Sequence, residues 1–368
     1  MANKDDIDWL FVLPDDLIGG GAQQVLFTII NHFIKQGKTC TVIFTVRKKH
    51  HGWESLESKC NIVYLDYNSV YKGYFGAFKY IKRLSKTHRI KHAISSQALI
   101  NGLLGFLKKV KVLKHTKLVL RESTSIFLRF SGFKLKLYKT AYKMGYRYAD
   151  VIICQTELMK QQLLEALPWL SKENKVVVIP NPVNLDEIAF KANQNTDFNI
   201  DNFIVAAGRL IPEKGFDILI DAFHLLDDKS LKLVILGNGS DEEQQKLIDQ
   251  IDALDLQDRV ILYGYTNNVY PIFQKAKLCV VSSRIEGFPN VLLQMMSQNN
   301  NVVSSLCAGE IANIKGIETC ETHNSEALKD AMKKGLANTT DNKTLYFKDY
   351  IKSRSIDNFV EAMLNQIN

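Results

Sequence analysis

The sequence predicts an α/β protein built from two consecutive doubly wound halves. Three observations predict it. Short apolar runs recur along the chain with helical patterns between most of them. Those runs are apolar throughout rather than alternating, as in parallel strands covered on both faces. The series breaks at Pro180-Asn181-Pro182 and the aperiodic polar stretch 191–202, then restarts at Phe203. A length of 368 residues suits two or three domains at roughly 150 residues each.

In the first half, Trp9-Leu10-Phe11-Val12-Leu13 reads as a buried strand ending at Pro14. Ala22, Val25, Leu26, Ile29, Ile30, Phe33 and Ile34 follow at i, i+3, i+4, i+7 spacing, an amphipathic helix stopped by Gly37. Strand-like runs come next at 39–45, 62–65, 92–95, 117–121, 151–154 and 175–179. In the second half they lie at 203–207, 231–236, 260–263, 278–281 and 302–304, with helical segments around 215–226, 242–254, 269–276 and 290–298. Ile356, Phe359, Val360, Met363, Leu364 and Ile367 mark a closing helix. The expected domains are 1–183, 184–350 and a C-terminal helix, 351–368, packing back toward the first.

Composition narrows the function classes. With 46% apolar and 23% charged residues the chain can build a large core, which excludes intrinsic disorder. The longest nearly apolar run, Ala98 to Leu107, is about half of a bilayer span. The N-terminus shows no signal-peptide layout, and six scattered cysteines without a CxxC read as free thiols, so a cytoplasmic location is expected. Between Lys79 and Arg147 stand 18 Lys or Arg against one acid, Glu122. That segment is +17, and the net +8 leaves −9 for the rest. Such a field attracts polyanions. Because Phe127 to Tyr148 interleaves aromatic and basic residues at near-helical spacing, an anionic membrane surface is the expected partner. No nucleic-acid signature accompanies it, so nucleic acid is not expected.

Ligands of doubly wound sheets sit outside the carboxyl ends of the strands, so three strand-to-helix loops stand out. Gly19-Gly20-Gly21 precedes the first helix, where bare glycines let amides approach an anion. It is neither a dinucleotide nor a P-loop fingerprint, and no acid ends the second strand, which disfavours an oxidoreductase. Gly208-Arg209-Leu210-Ile211-Pro212-Glu213-Lys214-Gly215 places two cations five apart around a proline turn, suited to a diphosphate. Ser283-Arg284-Ile285-Glu286-Gly287-Phe288-Pro289-Asn290 offers a carboxylate for sugar hydroxyls and, with Asn290 as expected helix N-cap, amides for phosphate. Metal readings are weaker. Asp6-Ile7-Asp8 precedes a strand rather than following one, and His88 and His92 lack a third ligand and read as solvated.

These loops together, with Val291, Gln294 and Pro180-Asn181-Pro182-Val183, resemble glycosyltransferase family 4 over nearly the whole chain. The resemblance implies two Rossmann-like doubly wound domains facing across a cleft, the B-type glycosyltransferase architecture. It implies retaining transfer of a sugar from a nucleoside-diphosphate donor, expected to be UDP-linked, to a lipid-linked oligosaccharide or surface-polysaccharide acceptor, on the inner face of the cell membrane. By similarity Arg209 and Lys214 hold the diphosphate, Glu286 contacts the donor sugar, Gln294 the ribose, and the Gly264-Tyr265 loop the base. The Gly19–Gly21 loop closes over the phosphates, and neither cofactor nor metal is needed. Two features depart from the family pattern: Gln294 stands where a Glu is usual, and no His lies near Arg121-Glu122-Ser123, leaving Glu122 as the nearest ionisable candidate. The rival readings are a nucleotide-sugar epimerase of the same architecture and a catalytically degenerate lipid- or polyanion-binding protein.

Overall fold

The computed structural model describes residues 5–17, 21–49, 52–173, 175–337 and 342–367. The chain divides into two compact units: residues 1–182 with 356–368, and residues 183–355. Both are doubly wound parallel α/β sheets. The first has seven strands, β1 (Asp5–Leu13), β2 (Cys40–Phe44), β3 (Asn61–Tyr64), β4 (His88–Ser95), β5 (Lys117–Arg121), β6 (Val151–Cys154) and β7 (Val176–Val178). Their spatial order is β3-β2-β1-β4-β5-β6-β7, every pair parallel. The second has six, β8 (Phe203–Ala207), β9 (Lys232–Leu236), β10 (Val260–Gly264), β11 (Leu278–Val281), β12 (Val302–Ser305) and β13 (Glu318–Cys320), ordered β10-β9-β8-β11-β12-β13 and again parallel.

The unbroken apolar runs have a direct cause. Along β1, Leu10 and Val12 enter one core while Trp9, Phe11 and Leu13 enter the core on the opposite face. Along β8, Phe203 and Val205 part from Ile204 and Ala206 in the same way. A strand covered on both faces has no polar side to expose. The winding reverses between β1 and β4 in the first unit and between β8 and β11 in the second, where helices leave the carboxyl ends of the strands uncovered.

Two elements differ from expectation. The closing helix runs Ile356–Asn365, not from 351. Residues up to Ser353 belong to the preceding helix, Lys343–Ser353, whose Phe347 and Ile351 are buried in the second unit. Ile356, Phe359, Val360 and Met363 are buried with Val25, Ile29 and Phe33 of the helix Gly21–Lys35, and Asp357 lies 3.6 Å from His32. His92, expected to be solvated, stacks on Trp9 with centroids 4.4 Å apart, its Nδ1 3.0 Å from the Asp8 carbonyl. A strand residue beside the central strand packs rather than floats.

The helices Ala98–Lys109 and Gly132–Gly145 cross with backbones in contact. A Cβ at Gly105 would lie 2.0 Å from the Gly145 carbonyl oxygen, and one at Gly145 would lie 2.3 Å from that of Gly102. Because backbone cannot rotate out of the way, Gly105→Ala is expected to destabilise the protein by about 1–3 kcal/mol. Urea unfolding of the variant checks this, an unchanged midpoint meaning that the crossing is loose.

Candidate functional site

The loops after β8 and β11 meet at the reversal of winding in the second unit. Gly208 donates its N–H to the Leu236 carbonyl at 2.9 Å, and Leu210 to that of Asn238 at 2.9 Å, so the first loop is sewn to the turn after β9. Gly237, at φ +137°, has no room for a side chain, because a Cβ would sit 1.8 Å from the Gly208 carbonyl oxygen. The Lys214 stem crosses Gly208, where a Cβ would come within 3.2 Å of it. Its ammonium reaches Glu286 Oε1 at 2.5 Å, and the Ser283 hydroxyl donates to the same oxygen at 3.2 Å. The Glu286 N–H is held by the Cys307 carbonyl at 2.8 Å. Residues 72 positions apart thus form one half-buried ion pair, their side chains 18% and 21% exposed. Arg209, in the same loop as Lys214, is exposed and without a side-chain partner among the described residues. The arrangement presents one free cation and one exchangeable pair at the strand ends, which suits a multiply charged anion attached to a hydroxyl-rich group.

Around this pair the other motif residues divide by exposure. Tyr265 is 54% exposed beside Gly264, whose φ of +84° requires glycine. Gln294 is half-buried, its amide donating to the Tyr270 hydroxyl at 3.4 Å. Burial pushes that hydroxyl up to about 12, so it remains protonated. Gly287 and Pro289 are buried. Phe288 is a core residue, its ring 4.4 Å from the Arg354 guanidinium, which also lies 4.5 Å over Tyr350. Asn290 is not the N-cap: it opens the helix Asn290–Met296, and Pro289 takes the cap position with no side-chain bond. The proline's fixed φ suits that position, but it has no oxygen to offer there.

In the first unit Gly21 begins the helix Gly21–Lys35, whereas Gly19 and Gly20 lie outside the described residues. Glu122 is not presented to solvent. Its carboxylate is enclosed at 3% exposure and accepts from the hydroxyls of Tyr142, at 2.6 Å, and Tyr146. Burial pushes the carboxyl up, against the pull of these hydroxyls, of Asn101 and of Arg121. Arg121 is itself buried, bonding Ser96 and Asn181 and leaving Nε without a partner, and burial draws it down to about 10. The nearest ionisable candidate is therefore enclosed and engaged by two tyrosines rather than open to a ligand. It also draws inward part of the aromatic face expected to meet a membrane, because Tyr142 and Tyr146 sit on the basic segment. What remains outward is Phe133, 85% exposed, Leu128, 59% exposed, and the exposed lysines 134, 136, 139 and 143.

With this geometry in hand, comparison with known proteins is decisive. Residues 187–354 match the model for glycosyl transferases group 1, and residues 19–187 that for glycosyltransferase family 4. The chain belongs to this glycosyltransferase family. Over 65% of its length the chain is 30% identical to an uncharacterised glycosyltransferase of Methanocaldococcus jannaschii. Over 51% it is 31% identical to the N-acetylgalactosamine-N,N'-diacetylbacillosaminyl-diphospho-undecaprenol 4-alpha-N-acetylgalactosaminyltransferase of Campylobacter jejuni. It spans 60% and 50% of the length of these two relatives. Its fold is like that of HepE of Anabaena in complex with UDP, with a TM-score of 0.74 over 97% of this chain and 98% of that one, at 16% identity. Among the described residues no helix is long and apolar enough to cross a membrane.

Sequence reasoning missed three contacts at or near the motifs. Arg284 pairs with Asp217, 67 residues away, and Arg354 lies over Phe288 from the last residues of the second unit. No spacing rule joins such distant positions. The i, i+4 pair Tyr142 and Tyr146 was readable as one helix face, but not its carboxylate partner.

A raised carboxyl has a definite consequence for stability. The folded Glu122 keeps its proton to higher pH than the unfolded one, so stability falls as pH rises from the ordinary carboxylate range through the folded value. Relative to wild type, Glu122→Gln is expected to gain stability as pH rises from 4 to 8. Thermal melts of both proteins across that range check it, parallel curves contradicting the assignment.

Proposed function

We propose that the transferase moves a sugar from a UDP-linked donor, with retention of configuration, onto a lipid-linked or surface-polysaccharide acceptor at the inner face of the cell membrane. The observation that carries this reading is the Lys214–Glu286 pair beside the unpartnered Arg209 at the ends of β8 and β11. A diphosphate offers Lys214 a more highly charged partner than one carboxylate, and its arrival frees Glu286 for sugar hydroxyls. Tyr265 presents a ring to the base, Gln294 an amide to the ribose, and Gly208, Gly264 and Gly287–Asn290 the close-approaching backbone.

In the transfer the bond from the anomeric carbon to the β-phosphate oxygen breaks, its electrons leaving on the diphosphate. The acceptor hydroxyl oxygen bonds to the same face of that carbon, and its proton passes to the departing phosphate. Arg209 and Lys214 offset the charge as it forms, so no metal or other cofactor is assigned to the step. UDP as the nucleotide is supported by the UDP complex of HepE, and a lipid-linked acceptor by the name of the Campylobacter jejuni relative. The outward lysines and Phe133 of the helix Gly132–Gly145 supply the docking surface for an anionic leaflet.

Arg209→Ala and Lys214→Ala are each expected to lower turnover by about 10²–10³ while leaving folding intact. The readout is UDP release from a panel of UDP-sugars, with and without EDTA. Turnover within a few-fold of wild type in both variants would remove the diphosphate assignment. For the membrane, each cation near an anionic surface contributes about 1 kcal/mol. Replacing Lys134, Lys136, Lys139 and Lys143 by Gln should therefore release the protein from phosphatidylserine-containing vesicles at physiological salt, with UDP affinity unchanged. Undiminished vesicle binding would refute that docking surface.

A further inference from the structure

The loop that carries Lys214 is held by its own turn, with Lys214 N–H on the Ile211 carbonyl at 3.0 Å, and also from the loop after β11. Arg284, from the loop after β11, donates its backbone N–H to the Glu213 carbonyl at 2.8 Å. Its Nη1 donates to the Pro212 carbonyl at 2.5 Å and to Asp217 Oδ1 at 2.8 Å, and its Nη2 to Asp217 Oδ2 at 2.5 Å. On the other side of the turn the Ser282 hydroxyl donates to the Lys214 carbonyl at 2.9 Å. Gly215, at φ +62°, is pressed so near that a Cβ would stand 2.3 Å from the Ser282 carbonyl oxygen. The backbone from Pro212 to Asp217 is thus fixed at both ends of the lysine by residues 282 and 284.

We propose that the Arg284–Asp217 pair is a positioning device for sugar transfer, setting the Lys214 ammonium where charge develops on the departing diphosphate. The inference rests on the reading of Lys214 as the leaving-group cation. Arg284 is not itself assigned to the ligand, since both its terminal nitrogens are engaged within the loops. The planar guanidinium matters because two parallel bonds to one carboxylate fix orientation as well as distance, which a lysine cannot do. Burial works to raise the Asp217 carboxyl, and the Arg284 bonds outweigh it and hold it low, so the carboxylate stays charged to lower pH than an ordinary one. The pair is also partly solvated, with side chains 22% and 46% exposed, so weakening it leaves no sealed charge behind.

The test is a double-mutant cycle read as UDP release from the UDP-sugar that wild type turns over fastest. Arg284→Lys keeps the charge and loses the fork. It is expected to lower kcat by about 10- to 100-fold, because displacing a catalytic group by about 1 Å has that effect. In a Lys214→Ala background the same substitution should change kcat by no more than about twofold, since there is no ammonium left to place. Asp217→Asn, which breaks the pair from its more exposed side, should show the same pattern as Arg284→Lys, a loss in wild type and little change in the Lys214→Ala background, and serves if Arg284→Lys melts below the assay temperature. Wild-type turnover for Arg284→Lys and Asp217→Asn, or an undiminished loss in the Lys214→Ala background, overturns the positioning role. Lys214→Ala turning over at the wild-type rate overturns instead the reading on which it rests.

Discussion

A parallel strand covered on both faces commits every side chain to packing and keeps only its carboxyl end for chemistry. This constraint organises each unit. Residues of β8 and of β1 from Trp9 to Leu13 alternate between two cores, so no polar side chain is presented along those stretches. Where the winding reverses, between β8 and β11, two loops leave adjacent strands in the same direction and meet. The site is made there because the sheet leaves nowhere else for it.

The meeting of those loops is a matter of backbone as much as charge. Gly237 and Gly215 occupy positions where any side chain would strike a carbonyl of the neighbouring loop, and Gly208 gives passage to the Lys214 stem. Hydrogen bonds from Ser282 and Arg284 then tie the first loop to the second. A half-buried ammonium and carboxylate held in this frame have little freedom left to lose, which is preorganisation in the sense that lowers the cost of binding a ligand.

The first unit uses buried polarity differently. Glu122, Tyr142, Tyr146, Asn101 and Arg121 form a network under the basic helix, joining it to the ends of β5 and β6. With the helix crossing at Gly102, Gly105 and Gly145, this fixes which of its residues face outward. The strong positive charge of the segment is therefore displayed by a rigid element, with its tyrosines turned inward and Phe133 left outside.

The sequence by itself determined the two parallel α/β units, most of the strands and the loops that hold the candidate chemistry, because period and apolar content are local properties of a chain. It also marked Arg209, Lys214 and Glu286 as a set through their resemblance to a family. It passed over the edge strand β13, three residues long with two of them polar, whose pairing with β12 is a tertiary event. It also placed the N-cap on Asn290 by residue type, whereas the chain direction imposed by Pro289 moved the cap one position back. Only the tertiary structure decided that Lys214 meets Glu286, that Arg284 grips Asp217, and that Glu122 is enclosed rather than exposed. Each depends on residues brought together across 20 to 72 positions of chain, where spacing carries no signal and only the packing of strands and helices sets the distance.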